Sequence, residues 1–137
     1  MKVYNVIVVF NETEDAVLMC RRRRDPFQGL LNFVGGKIET DEDGSCAAYR
    51  ELEEETGITV GDIPLTHLTD FTYYLDDFYM EVYVGRLNKS VNVFGDENDL
   101  YWIDPNQNFF DTTQYAGLGN VGHIMKLIMC SRDVLLR

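Results

Sequence analysis

Basic residues are scarce in this chain of 137 residues, and so are cysteine and proline. The 12 Lys and Arg are outnumbered by 23 Asp and Glu, which gives a formal net charge of −11. A surface this acidic repels nucleic-acid backbones, so we expect no nucleic-acid binding. An anionic ligand would need a local group of cations or a metal ion. Three cysteines are too few for a disulfide framework, and their spacing matches no zinc knuckle.

Long hydrophobic runs are also absent, so the sequence predicts no membrane-spanning segment. The apolar stretch at residues 3–10 is short and is followed by acidic residues, which is unlike a secretory signal peptide. Together with reduced thiols, this predicts a cytoplasmic protein. The length predicts one domain over residues 1–137. Whether that domain is a monomer or a homodimer stays open.

The hydrophobic pattern predicts a mixed α+β domain, in which helices pack on a sheet. Two helices are expected, one over about 43–56 that ends at Gly57 and one over 120–130 with Asn120 as its N-cap. Strands are expected at 3–10, 16–20, 30–34, 71–74, 78–86 and 100–103.

The first predicted helix carries glutamates in its last turns, where a helix has partial negative charge and acidic side chains are unfavourable. Glu51, Glu54 and Glu55 also share one face, and like charges at this spacing cost about 0.2–0.5 kcal/mol per pair. Folding alone gives little reason for this arrangement. A divalent cation with hard oxygen ligands would reverse the sign of each of these interactions. The cluster therefore predicts a Mg²⁺ or Mn²⁺ site, and a solvated acidic helix face is the alternative.

The residues around this cluster follow the pattern G-x5-E-x7-R-E-U-x-E-E-x-G-U, where U is an aliphatic residue. The matching positions are Gly36, Glu42, Arg50-Glu51-Leu52, Glu54-Glu55 and Gly57-Ile58. The pattern resembles the Nudix box, and no position departs from it. The resemblance implies a Nudix-type mixed β-sheet sandwiched by helices, an α/β/α arrangement. It also implies metal-dependent hydrolysis of a nucleoside diphosphate linked to another group.

The resemblance further implies roles for the individual residues of the box. Glu51, Glu54 and Glu55 would bind the Mg²⁺ or Mn²⁺ ion, and the backbone carbonyl of Gly35 would be a further ligand. Glu51 and Glu54 are also the candidate catalytic carboxylates, and Arg50 is expected to orient the catalytic glutamate. Without the resemblance, Arg50 is explained by a surface ion pair with Glu54.

The general base is open among several acidic residues. In the family it is either a glutamate of the box or an acid of a later loop, and here that loop offers Asp96, Glu97 and Asp99. Glu42 matches the first glutamate of the box. An acid near a helix N-terminus is also favourable without any catalytic role, so both interpretations of Glu42 stay open.

Four residues are candidates for substrate binding. Residues 21–24 are all arginine, and because side chains alternate between the faces of a strand, at most about half of them are expected to face one site. MutT-like members of the family hold the phosphates with an arginine at the end of the second strand, which makes Arg22 the first choice and Arg21 or Arg23 the next. Asn32 matches an asparagine that bonds the base in enzymes that remove oxidised purine nucleotides. Gly36 and Lys37 are candidates beside the phosphates, with an exposed lysine as the alternative.

The sequence thus predicts a MutT-like Nudix enzyme that converts (deoxy)nucleoside triphosphates to the monophosphate and pyrophosphate. An oxidised guanine nucleotide such as 8-oxo-dGTP is the first candidate, which corresponds to sanitation of the nucleotide pool. Alternatives within the enzyme class are ADP-ribose, other nucleoside diphosphate sugars and dinucleoside polyphosphates. An alternative of another class is a nucleotide-binding Nudix sensor without catalysis.

Overall fold

A computed structural model describes residues 1–136 of the chain. Within this range, strands form one sheet and three helices pack around it. In chain order the elements are β1 (Lys2–Phe10), β2 (Val17–Arg21), β3 (Leu31–Asn32), α1 (Gly44–Thr56), β4 (Leu65–Tyr73), β5 (Phe78–Arg86), β6 (Asp99–Ile103), α2 (Asn120–Cys130) and α3 (Arg132–Leu135).

The sheet is mixed because β1 pairs in parallel with β5, whereas the other strand pairs are antiparallel. The strand order is β3-β2-β1-β5-β4, and β6 pairs with β2 outside this path. The β1–β5 ladder extends over the whole length of both strands. By contrast, β2 meets β1 only at the pair Phe10 and Val17. The first half of β1 is therefore free to pair with another segment.

That segment is 34–38, which runs antiparallel to β1. The amide of Ile7 donates to the carbonyl of Val34 at 2.9 Å, and the amide of Ile38 donates to the carbonyl of Val3 at 2.9 Å. The glycines 35 and 36 lie between these two bonds. This pairing places them against the middle of the sheet, next to helix α1.

The two long helices cover opposite faces of the sheet, because successive strand residues point to opposite sides. Ile7 of β1 belongs to a buried cluster with Leu52 of α1. Its neighbour Val8 belongs to a second buried cluster, with Ile124 of α2. The sheet lies between two helical layers, so the predicted α+β class and α/β/α arrangement are confirmed. None of the helices in residues 1–136 is long and apolar enough to span a membrane.

Helix α1 begins and ends where the sequence predicts. The Asp43 side chain accepts a hydrogen bond from the Cys46 amide at 3.2 Å and caps the N-terminus. Gly57 adopts a left-handed conformation with φ of 82° and ends the helix. No basic residue lies in the last turn of this helix. The glutamates near its C-terminal end therefore lack a cation there to offset the helix dipole.

Three predicted boundaries are wrong. Strand β4 begins at Leu65, not at Phe71, because alternating polar residues on this edge strand hide its pattern. Strand β3 is only two residues long, since the chain leaves β2 to reach β1. The N-cap of α2 is Gly119, and Asn120 is the first helical residue. The Asn120 side chain donates to Met80 Sδ instead of capping the helix.

Candidate active site

The glycine pair 35–36 contacts two carboxylates of helix α1. The Gly35 amide donates to Glu55 Oε2 at 2.8 Å. A Cβ atom added to Gly36 would lie 2.5 Å from the Glu51 carboxyl carbon, which is closer than packed atoms approach. The backbone of this turn therefore touches both side chains, and the close approach to Glu51 requires glycine at position 36.

Arg50 connects three of the glutamates by one planar guanidinium group. Its Nε and one terminal nitrogen bond both carboxylate oxygens of Glu42, at 2.6 and 2.9 Å. Its other terminal nitrogen donates to Glu51 Oε1 at 3.1 Å and to Glu54 Oε2 at 3.2 Å. The pairing with Arg50 holds the pKa of Glu42 at about 2. Arg50 is thus fixed by Glu42 and in turn restricts the position of the Glu51 side chain.

Glu51 and Glu55 line a polar cavity of about 500 Å³, hereafter the polar cavity. Its wall combines carboxylates, arginines and the glycine turn. The lining residues are Arg22, Arg23, Arg24, Gly35, Gly36, Glu51, Glu55, Glu97 and Asn98. A cavity lined by both arginines and carboxylates is suited to an anionic ligand that carries a bound cation.

Three of the four consecutive arginines line this cavity, although the sequence predicted that at most half would share a site. Strand β2 ends at Arg21, so strand alternation does not apply to the residues that follow. Arg22 donates to the carbonyl of Pro26 at 2.6 Å, and Arg23 pairs with Asp99. Arg21 lies elsewhere, over the ring of Tyr101 at 5.3 Å from its centroid.

Burial disfavours the ionised forms of two cavity carboxylates, those of Glu55 and Glu51. Burial is the largest cause that raises the pKa of Glu55 to about 7, and the hydrogen bond from Gly35 opposes it only in part. The neighbouring Glu51 and Glu97 raise this pKa further. Burial also raises the pKa of Glu51, against the opposing effect of Arg50. A cation bound between these groups would favour their ionised forms.

The donor set is suited to a hard divalent cation. Within residues 1–136, no three His, Cys, Asp or Glu side chains stand close enough together to hold a metal ion by themselves. Mg²⁺ in proteins is usually held by one or two carboxylates together with substrate phosphates and water. Two undercompensated carboxylates beside three arginines meet that requirement, so Glu51 and Glu55 fit a divalent metal ion.

The other predicted site residues are more dispersed. The carboxylate of Glu54 points to Arg50, and its side chain is 56% exposed. Lys37 does not line the polar cavity; its side chain is exposed, and its carbonyl accepts from Arg50 at 3.2 Å. Of the later acids, Glu97 lines the cavity, whereas Asp96 lines only a small hollow beside it. Asp99 is occupied by Arg23.

Asn32 lines a second opening of about 500 Å³, hereafter the apolar cavity. It lies on the face covered by α2, and aromatic rings and a few polar groups form its wall. Those aromatic residues are Phe27, Phe33, Tyr73 and Phe78, and the polar side chains are Asn32, Asp76 and Asn120. Phe33 is two residues from Gly35, so the backbones of the two cavities are at most about 7 Å apart.

Sequence reasoning missed two residues of this region. Asn5 lies in strand β1 and bonds the Gly36 amide through Oδ1 at 2.9 Å. A lone asparagine in a strand of valine and isoleucine was a signal that could have identified it. Asn98 lines the polar cavity and accepts from the Arg23 amide at 3.0 Å. Asn98 lies in a polar loop, where no pattern separates it from its neighbours.

Comparison with known proteins agrees with this geometry. The family model described as NUDIX domain matches residues 1–120. The chain is 40% identical over 113 residues to the CTP pyrophosphohydrolase of Escherichia coli (strain K12), covering 78% of this chain and 80% of that protein. It is 31% identical over 90 residues to the oxidized purine nucleoside triphosphate hydrolase of Danio rerio, covering 64% and 58% of the two chains. A solved structure of MutT, from work on Aliivibrio salmonicida and Vibrio cholerae, shares the fold with a TM-score of 0.73 at 21% identity, over 94% of this chain and 98% of that one.

Proposed function

The chain belongs to the Nudix family, and we propose that it is a metal-dependent hydrolase that cleaves nucleoside triphosphates to the monophosphate and pyrophosphate. We also propose that residues 1–137 form one domain, since α2 begins at the last matched residue and still packs on the same sheet. The relatives named for CTP and for oxidised purine nucleotides support a triphosphate as substrate.

The observation that carries the proposal is the composition of the polar cavity. One opening holds three arginines and the carboxylates of Glu51, Glu55 and Glu97. Arginines bind phosphate oxygens with their guanidinium groups. Carboxylates alone would repel the same phosphates, so their presence is explained by a cation between them and the substrate. A triphosphate with its divalent ion supplies both charges.

The proposed mechanism assigns separate tasks to the side chains. Glu51 and Glu55 would hold Mg²⁺ or Mn²⁺ in the polar cavity, and we propose Glu54 and the Gly35 carbonyl as further ligands by the match to the Nudix box. The bound ion would neutralise phosphate oxygens and acidify the attacking water. Water oxygen bonds to phosphorus, the bridging phosphorus–oxygen bond breaks, and the bridging oxygen leaves with the departing phosphate group. A carboxylate accepts the proton of the water.

Glu51 is the first choice for that proton. Arg50 holds Oε1 of Glu51 at 3.1 Å, which leaves Oε2 available to the attacking water. Arg22 and Arg24 would hold the phosphates in line. Arg24 has no hydrogen-bond or ion-pair partner within residues 1–136, so its charge is free for a ligand.

The apolar cavity is the proposed location of the base. Aromatic rings on its wall stack on a nucleobase, and the side-chain amides of Asn32 and Asn120 offer hydrogen-bond donors. We place the phosphates of the same nucleotide in the polar cavity, whose lining residue Gly35 follows Phe33 of the apolar cavity by two positions. Both CTP and an oxidised guanine nucleotide are candidate substrates on these grounds.

A panel of nucleotides with Mg²⁺ and with Mn²⁺ tests the proposal. It includes CTP, dGTP, 8-oxo-dGTP, ADP-ribose and a dinucleoside polyphosphate, each scored for pyrophosphate, phosphate and monophosphate. We expect pyrophosphate and monophosphate from at least one triphosphate, and no turnover in EDTA. Hydrolysis of ADP-ribose alone would transfer the proposal to nucleoside diphosphate sugars. Tight nucleotide binding without any product would indicate a sensor.

Asn32→Ala is expected to change substrate preference more than turnover. Asn32 Oδ1 accepts from its neighbour Phe33 at 2.9 Å, which leaves Nδ2 to donate to a base. Loss of a base-reading amide should change the ratio of kcat/KM for 8-oxo-dGTP and dGTP by about tenfold or more. Asn106→Ala, an exposed asparagine outside both cavities, is the control. An unchanged ratio in Asn32→Ala would mean that the Asn32 side chain only bonds the Phe33 backbone and does not contact the base.

A further inference from the structure

Asn5 has an unusual environment for a polar residue. It lies in the buried part of β1 with only 3% of its surface exposed. Its Nδ2 has no hydrogen-bond partner within residues 1–136. A buried donor without a partner destabilises a fold, and an apolar side chain of the same shape would avoid that cost. Stability of the strand therefore does not explain an asparagine at this position.

The remaining polar atoms of Asn5 all face the glycine turn. Its backbone amide donates to the Gly36 carbonyl at 2.8 Å, and its Oδ1 accepts from the Gly36 amide at 2.9 Å. Both polar groups of Gly36 are thus fixed by one residue. The Asn5 carbonyl lies so close to Gly35 that a Cβ atom there would collide with it. The turn is consequently held in one position relative to β1.

The same turn contacts two carboxylates of the polar cavity, those of Glu51 and Glu55. Gly35 donates to Glu55, and the Cα atom of Gly36 packs against the carboxylate of Glu51. A shift of the turn would move both contacts together. Backbone hydrogen bonds of residues 34 and 38 to β1 hold the ends of the segment. Asn5 holds its centre by two bonds to Gly36, and only the one to Oδ1 depends on the asparagine side chain.

We infer that Asn5 is a positioning residue for the proposed reaction. It holds Gly35 and Gly36 against Glu51 and Glu55, and so sets where these carboxylates stand in the polar cavity. The inference rests on the proposed function for its catalytic consequence. In this role Asn5 touches neither substrate nor metal, and it acts only through the turn at Gly35 and Gly36.

The test compares Asn5→Leu with wild type and with Tyr49→Phe. Leucine has a similar volume and no hydrogen-bonding group. Tyr49→Phe is the matched control, since Tyr49 hydroxyl makes two part-buried hydrogen bonds on α1, to the backbone of Ile63 and Leu65, away from the turn. Asn5→Leu should keep its melting temperature within about 5 °C of wild type, because loss of the unpaired donor offsets loss of the bond to Gly36. Asn5→Ala serves if the leucine variant does not fold.

Two readouts separate positioning from simple stability. In metal-free protein, NMR hydrogen exchange at the Gly36 and Gly35 amides should be about tenfold faster in Asn5→Leu, whereas Tyr49→Phe leaves it unchanged. In the active protein, kcat for the preferred nucleotide should fall about 10²-fold in Asn5→Leu with KM within about threefold, since misplaced groups act on the reacting state. Tyr49→Phe should keep its kcat.

The outcomes distinguish this inference from the proposed function. Wild-type protein that releases no product from any nucleotide contradicts the proposed function, and the positioning role falls with it. Active wild type together with unchanged kcat in Asn5→Leu contradicts the positioning role alone. Unchanged exchange at Gly36 contradicts it as well, because the turn would then be held without the asparagine.

Discussion

Glu55→Gln should lower kcat for nucleotide hydrolysis on the order of 10³-fold, because a neutral amide replaces a proposed ligand of the divalent cation. The fold should not suffer. Gln Oε1 can still accept the hydrogen bond that Gly35 gives to Glu55 in the wild type. Steady-state kinetics with Mg²⁺ would measure the loss. Turnover within a few-fold of wild type would contradict a role of Glu55 at the metal.

The same variant should be more stable than the wild type when no metal is present. Burial raises the pKa of Glu55 from 4.5 to about 7, so the ionised carboxylate is disfavoured in the folded state. The contribution of Glu55 to the free energy of unfolding of the wild type is therefore lost as the pH rises from about 4.5 through about 7. The glutamine variant has no ionisable group at this position, so it does not show that loss. The advantage should be near zero at pH 4 and about 1–3 kcal/mol at pH 8, as measured by urea unfolding in EDTA. Equal advantages at both pH values would contradict this electrostatic origin.

Two further glutamates of the same helix serve as comparison. Glu53 is exposed and lies outside the polar cavity. Glu53→Gln makes the same chemical change as Glu55→Gln, and its activity and stability should both stay near wild type. Glu54→Gln should also abolish turnover, as a proposed metal ligand, but with little effect on stability because its side chain is 56% exposed. The contrast between positions 53, 54 and 55 separates loss of a metal ligand from loss of surface charge.

Gly36→Ala should lower kcat about 10²-fold and leave a folded protein. The added methyl group would meet the Glu51 carboxylate, which is the flexible end of a side chain and can move away. Movement costs little stability but separates Glu51 from the position that Arg50 supports. Circular dichroism and thermal unfolding would establish folding, and kinetics would establish the loss. Wild-type kcat in Gly36→Ala would show that the exact position of Glu51 does not matter for turnover.

Gly35→Ala is the structural counterpart of that variant. Here the methyl group would collide with the backbone carbonyl of Asn5, which belongs to the central strand and cannot move away. The substitution should therefore destabilise the whole protein by about 1–3 kcal/mol or more, in addition to any effect on activity. The two adjacent glycines are thus needed for different reasons. Gly36 leaves room for the side chain of Glu51, and Gly35 leaves room for the backbone of β1.

The helix boundaries and the buried strands were predictable because local signals determine them. Asp43 and Gly57 mark the ends of α1 by side-chain capping and by a left-handed conformation, and both effects act within a few residues. The strand β5 follows from a dense run of aromatic and β-branched residues. Strand β4 was predicted too short because an edge strand alternates with solvent-facing polar residues that resemble a loop.

The acidic residues of α1 and their spacing from Gly36 can be read directly from the sequence. The resemblance to the Nudix box and the candidate carboxylates therefore followed from the sequence alone. Tertiary structure decided which of them meet. The gap left between β1 and β2 brings Gly35 and Gly36 beside Asn5 and α1. The end of β2 at Arg21 turns three arginines toward the same cavity, and Glu54 bonds Arg50 without lining that cavity. The residues that meet are far apart in the sequence, as are Asn5 and Gly36 at 31 positions, and sequence order alone does not say which of them the sheet brings together. Only the folded chain therefore revealed these contacts.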